Sequence, residues 1–299
     1  MTKTLQLAKP YTKDKLGERV FVSEKLDGVP VRFDVSIRDG LATVSQGRTR
    51  QDEPAYSCTF IQRDLHAVIQ RAINAAPQSD RDWVIIGEVL HETITGFKDT
   101  SGVVRRQEPQ TGLELHIFDF WDSARPHDNF ASRNFALNCL LGSRQQASVR
   151  IIRQETAFRH QLDEIIEERM PNVAEGLVIR DAGETFQPGK RTWGYQKVVK
   201  EPTIDLHICK FEEGVGKNAG AVGRLIAIYK GEYIGIGPGK LTYAERKDLW
   251  RRFLDQPLAF HSSQEQFMAC IKYKPDDGYK ALRQPTFQYW RKDKKEPDA

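Results

Sequence analysis

Arg19 to Lys25 alternates, and after a Gly28-Val29-Pro30 break the pattern resumes from Val31 to Ile37. Leu41 to Val44 follows the turn signal Arg38-Asp39-Gly40. These runs predict short strands. The period then changes. Phe60, Leu65, Val68, Ile69 and Ile73 recur at helical spacing and predict an amphipathic helix over 59–76. Trp83 to Leu90 and Leu113 to Trp121 read as strands, separated by polar residues 98–112, rich in Gly and Pro, which predict a long exposed loop. Helices are expected near 130–142 and 157–169, and strands at Gly176 to Arg180 and Tyr195 to Val199.

Glu201-Pro202 marks a boundary. Beyond it, short strands are expected at 204–211, 222–229, 232–236, 266–273 and 285–290, with one helix near 242–254. Five strands and a helix match a small barrel of the OB type. The expected fold is α+β: an antiparallel body over 1–202 and an OB-fold β-barrel over 203–299.

The chain has 299 residues, 39% hydrophobic and 29% charged, a composition too apolar for a disordered polymer. No apolar run approaches the roughly 20 residues that cross a bilayer. The opening MTKTLQLAKP has no apolar core, so no secretory signal is expected and the cytoplasm is the expected location. Cys58, Cys139, Cys209 and Cys270 lie far apart and offer no zinc framework. The net charge of +4 resides in residues 203–299, with 17 basic and 13 acidic residues, while 1–202 balance at 28 and 28. A neutral body with a mildly basic appendage is compatible with nucleic acid.

Several nucleotide cradles are excluded. Gly214-Val215-Gly216-Lys217 lacks the first glycine and the hydroxyl of a P-loop, and no G-x-G-x-x-G opens a helix. The informative segment is Lys25-Leu26-Asp27-Gly28, where a lysine ends a strand ahead of a tight turn. Such an amine is either a solvated turn residue or, with its pKa lowered by burial and neighbouring cations, a nucleophile toward phosphorus.

Further segments follow in order, and together they resemble the covalent nucleotidyltransferases, within them the compact ATP-dependent DNA ligases of phages and bacteria. Lys25-Leu26-Asp27-Gly28 is similar to the K-x-D-G motif whose lysine carries AMP, flanked by Glu24 and Leu26 as nucleotide contacts. Ser45-Gln46-Gly47-Arg48 resembles the next motif, whose arginine meets nucleic-acid phosphate; Arg48 or Arg50 takes that role. Gly87-Glu88 resembles the ribose-binding acid, and Phe118-Asp119 the aromatic that stacks on adenine. Glu175-Gly176-Leu177-Val178-Ile179-Arg180 resembles the motif whose glutamate supports the metal. Lys197 to Lys200 falls at the phosphate-binding lysine pair, and Arg291-Lys292-Asp293-Lys294 at the terminal R-x-D-K.

There are three departures. Position 30 is proline where the family has arginine, and Arg32, two residues on along the same face, is the substitute. The lysines are spaced Lys197-Val198-Val199-Lys200 instead of K-x-K, which puts them on opposite faces unless a bulge intervenes; Lys200, followed by Glu-Pro as a final motif lysine would be, is preferred over Lys197. The arginine of the second motif is displaced as well.

The resemblance implies a monomer that uses ATP and Mg²⁺, with Mn²⁺ as a substitute, to seal nicked double-stranded DNA. Lys25 is the nucleophile, Lys197 and Lys200 assist it, and Glu175 holds the metal. Lys25, Arg32, Lys197, Lys200, Arg291 and Lys294 supply cations to the phosphates. With about 24 residues before Lys25, no N-terminal clamp is expected, and Lys98, Arg105 and Arg106 of the 98–112 loop are expected to grip the duplex. The alternatives are an RNA ligase, a capping guanylyltransferase using GTP, and an inactive OB-type nucleic-acid binder.

Overall fold

The computed structural model describes residues 5–94, 97–144, 148–255, 267–274, 282–291, 293 and 296–298. Two compact units divide between Val199 and Lys200. The first unit runs β1 (Leu7–Pro10), β2 (Arg19–Lys25), β3 (Val29–Arg38), β4 (Leu41–Val44), β5 (Arg48–Thr49), α1 (Thr59–Ala75), β6 (Arg81–His91), α2 (Phe97–Val104), β7 (Leu113–Asp122), α3 (Phe130–Leu141), β8 (Val149–Ile151), β9 (Glu155–Phe158), α4 (Leu162–Arg169), β10 (Gly176–Asp181) and β11 (Arg191–Val199). The second runs β12 (Thr203–Glu213), β13 (Val222–Tyr229), β14 (Glu232–Ile236), α5 (Tyr243–Asp255), β15 (Met268–Lys274) and β16 (Arg283–Trp290).

The first unit holds two mostly antiparallel sheets. One has the order β4-β3-β6-β7-β8, with β5 beside β3. Its inward residues Val31, Phe33, Val35 and Ile37 pack with Ile61, Leu65, Val68 and Ile69 of α1. Each such side chain contributes about 1.5–3 kcal/mol by leaving water. The other sheet has the order β1-β11-β10-β2-β9 and buries Val20, Val22, Leu177 and Ile179 against Leu162 of α4. The second unit is a five-stranded sheet, β14-β13-β12-β15-β16. A parallel bridge from Gly237 to Thr286 brings its two ends together, which curls it into a barrel. No helix among the described residues is long and apolar enough to cross a membrane.

Two expectations need correction. Residues 98–112 are not loop throughout: α2 occupies Phe97–Val104 and buries Thr100, Ser101, Val103 and Val104. Its apolar side is short, and Lys98, Asp99 and Gly102 made the stretch read as polar. Arg105 and Arg106 lie just beyond it and are exposed, as is Lys98. The helix expected from 157 begins only at Leu162, because Glu155–Phe158 pairs with β2, Val20 opposite Ala157. The strand read from 266 is β15; Gln266 itself lies outside the described residues.

Candidate active site

Strand register assembles the site. β10 lies between β2 and β11, so Lys25 stands opposite Gly176, which stands opposite Val199. The next row is Ser23, Val178 and Lys197, and the third is Phe21, Arg180 and Tyr195. Alternation buries Leu177 and Ile179 on the other face. Lys25, Val178, Arg180, Tyr195 and Lys197 all line one cleft.

Residues 26–28 bring the other sheet to the same cleft. A Cβ on Gly28 would sit 2.3 Å from the Val89 carbonyl oxygen, so only glycine lets the turn lie on β6. Its backbone N–H donates to the Glu88 carboxylate. Glu88, Phe118, Ile152 and Gln154 complete the wall with Glu24 and Leu26. Phe118 owes its place to a bulge. Ile117 pairs with Gly87 and Asp119 with Ile86, which leaves Phe118 as the extra residue of β7.

Electrostatics divide the site in two. At the strand end, the Lys25 ammonium is paired with the Glu175 carboxylate. Carboxylates surround it, contrary to the expectation of a lysine among cations. Burial pushes the Glu88 carboxyl up to about 8; Glu175 and Asp27 add to the rise and Lys25 opposes it. Deeper in, Asp119 accepts from Arg133 Nε at 2.9 Å and from Arg180 Nη2 at 2.8 Å. Burial alone would raise this carboxyl, but the two guanidiniums outweigh it and hold it below the usual range. Arg180 is sandwiched between the rings of Phe130, 4.3 Å away, and Tyr195, 4.1 Å away. Burial pushes the Tyr195 phenol up to about 12.

Other expected residues sit elsewhere. Arg32 does share the face of Pro30, whose partner is Glu88, but it pairs with Asp34 at 3.4 Å and Asp52 at 3.2 Å and does not line the cleft. Arg48 stands beside it and donates to the Asp52 carbonyl oxygen at 2.8 Å; Arg50 is exposed. No bulge interrupts β11 along β10, so Lys197 faces the cleft, and Val199 takes the next position on that face. Lys200 and Arg291 belong to the second unit. There Arg291 is held by Asp205 at 2.6 Å and Asp293 at 2.9 Å. Lys294 lies outside the described residues.

Sequence reasoning missed Arg180, Tyr195, Gln154 and the Asp119–Arg133 pair. Arg180 and Tyr195 carried a signal, since strand parity puts them with Val178 and Lys197. Gln154 carried none. Among the described residues no three metal-ligating side chains cluster. The carboxylates at the mouth, Glu175 and Glu88, nevertheless suit Mg²⁺, which takes one or two carboxylates and completes its shell with water and phosphate oxygens.

Residues 18–200, which contain all of the cleft's lining except Ala8, match the family model described as RNA ligase. The chain belongs to the RNA ligase family. A relative within reach is a probable DNA ligase of Streptomyces griseus subsp. griseus, 26% identical over 227 residues, or 71% of this chain and 42% of that protein. The chain thus spans under half of that relative's length. Among solved structures, one named Pmar-Lig_Pre superposes with a TM-score of 0.76 at 18% identity, over 97% of this chain and 67% of the other. A Lig E DNA ligase, described as binding DNA with a minimal scaffold, gives 0.65 at 22% identity over 97% and 100%. These likenesses establish the fold of this family member as a nucleotidyltransferase body with an OB-type barrel.

Proposed function

We propose that the chain is an ATP-dependent DNA ligase that joins a 3′-hydroxyl to a 5′-phosphate at nicks in duplex DNA. The observation that carries this reading is the placement of the Lys25 amine at a strand end, in one cleft with Phe118, Glu88 and Lys197. Phe118 supplies a flat apolar face for a base. Lys197 offers a cation for phosphate. Glu175, with Glu88 behind it, would hold Mg²⁺, whose charge offsets that of the polyphosphate.

In the first step the neutral Lys25 amine attacks the α-phosphorus of ATP. A P–N bond forms, the P–O bond to the β-phosphate breaks, pyrophosphate leaves and the amine gives up a proton. An oxygen of the 5′-phosphate then attacks the same phosphorus, the P–N bond breaks and the departing nitrogen takes up a proton, which restores the amine. The 3′-hydroxyl attacks the 5′-phosphorus, loses its proton and expels AMP.

Exposed Lys98, Arg105, Arg106 and Arg50, with Arg48 beside them in kind, supply charge for the duplex backbone. The family model described as RNA ligase favours one second reading, in which the nick lies in RNA. Incubation with α-labelled ATP and Mg²⁺ should label the protein, and Lys25→Ala should stay unlabelled. Sealing of nicked DNA should exceed sealing of nicked RNA; the reverse result selects the second reading.

A further inference from the structure

Gln154 lies between β8 and β9 and lines the cleft beside Ile152 and Phe118. Its amide nitrogen donates to the Phe118 carbonyl oxygen at 3.0 Å and to Asn134 Oδ1 at 3.3 Å. A backbone carbonyl can only accept, so the contact with Phe118 fixes which end of the amide is the NH₂. Both donor hydrogens are spent on the wall. What this side chain still offers is its carbonyl oxygen, an acceptor. The amide is therefore oriented by the backbone of the very residue whose ring forms the stacking platform, and both residues line the same cleft.

We propose that Gln154 reads the nucleobase: its Oε1 accepts a hydrogen bond from the 6-amino group of adenine and disfavours purines with oxygen at that position. The inference rests on the reading of the cleft as a nucleotide site and adds the group that chooses the base. A 6-oxo purine would set one acceptor against another and leave a half-buried oxygen unpaired. A purine lacking the 6-substituent would leave Oε1 unmatched without opposing it. Sites built around a donor–acceptor match reject the analogue that lacks it far more strongly than apolar pockets reject a change of size.

The test compares initial rates of protein labelling by α-labelled ATP, inosine triphosphate and purine riboside triphosphate, each with Mg²⁺. In the wild-type protein ATP is expected to lead both analogues by about tenfold or more, the worth of one well-placed hydrogen bond. Gln154→Met keeps the length of the side chain and removes the acceptor, so the lead should shrink to within about twofold. General damage to the fold slows all three nucleotides alike and leaves the ratio intact. Equal wild-type rates with ATP and inosine triphosphate overturn the inference, as does a full ATP lead in Gln154→Met. If wild-type protein is labelled by none of the three, the nucleotide-site reading itself fails, and this assignment falls with it.

Discussion

Glu88 on β6 and Asp119 on β7 are carboxylates on neighbouring strands of one sheet, yet their proton affinities move in opposite directions. Glu88 is pushed up to about 8, burial being the largest cause, with two more carboxylates nearby and one lysine to oppose them. Asp119 is more deeply buried and is nonetheless held below the usual carboxylate range by Arg133 and Arg180. Burial alone therefore does not decide the charge of an interior acid. The count of opposed cations does, and it differs between the mouth of the cleft and its floor. The floor is built to stay charged and fixed. The mouth has acids in excess, which suits a region that must receive a cation together with a polyanion.

The sharpest way to break this contrast is at the floor. Asp119→Asn removes the carboxylate that both buried guanidiniums share and, among the described residues, leaves only Glu184, 3.6 Å from Arg180, in opposition; a cost of about 3–5 kcal/mol is expected, read as a lowered urea midpoint at pH 7. A loss well under 1 kcal/mol would show that the arginines have other support. A smaller effect is expected at the mouth. The folded-state pKa of Glu88 is raised, so the wild-type fold loses stability as pH climbs from the ordinary carboxylate range to about 8 and is level beyond. Glu88→Gln should match the wild type near pH 5 and become the more stable of the two by pH 8. Parallel curves of midpoint against pH would refute the assignment. The smallest effect concerns charges that face water. The double variant Arg105→Ala, Arg106→Ala should leave stability unchanged and weaken nicked-duplex binding a few-fold, with a salt slope shallower by about 2. An unchanged slope would remove these residues from the interface.

The mouth was legible in the sequence and the floor only partly so. Lys25, Glu88, Phe118 and Glu175 could be named from short motifs: Lys25 and Glu175 flank strand ends beside turns, while Glu88 and Phe118 lie inside strands and are reached through the resemblance. Arg180 belonged to one of those segments, but its partners Asp119, Arg133 and Phe130 come from another sheet and a helix, and no local spacing links them. The lysine pair resolved only with the register: an uninterrupted β10–β11 ladder puts Lys197 in the cleft, against the preference that the Glu-Pro after Lys200 suggested. α2 escaped because a single buried turn and a half carries too few apolar residues to show a period. The edge strand Glu155–Phe158 escaped because its pairing with β2 outweighs a helical pattern that continues from α4.

Gly28 has a consequence for how the nucleophile is placed. Its bare Cα rests against the Val89 carbonyl, where an added methyl would come within 2.3 Å. The fourth letter of K-x-D-G thus works as a spacer of zero thickness, setting the gap between the attacking nitrogen and the acid on β6. Replacing it with alanine would act like a shim, prying the two sheets apart at the point where alignment of the reacting atoms matters most.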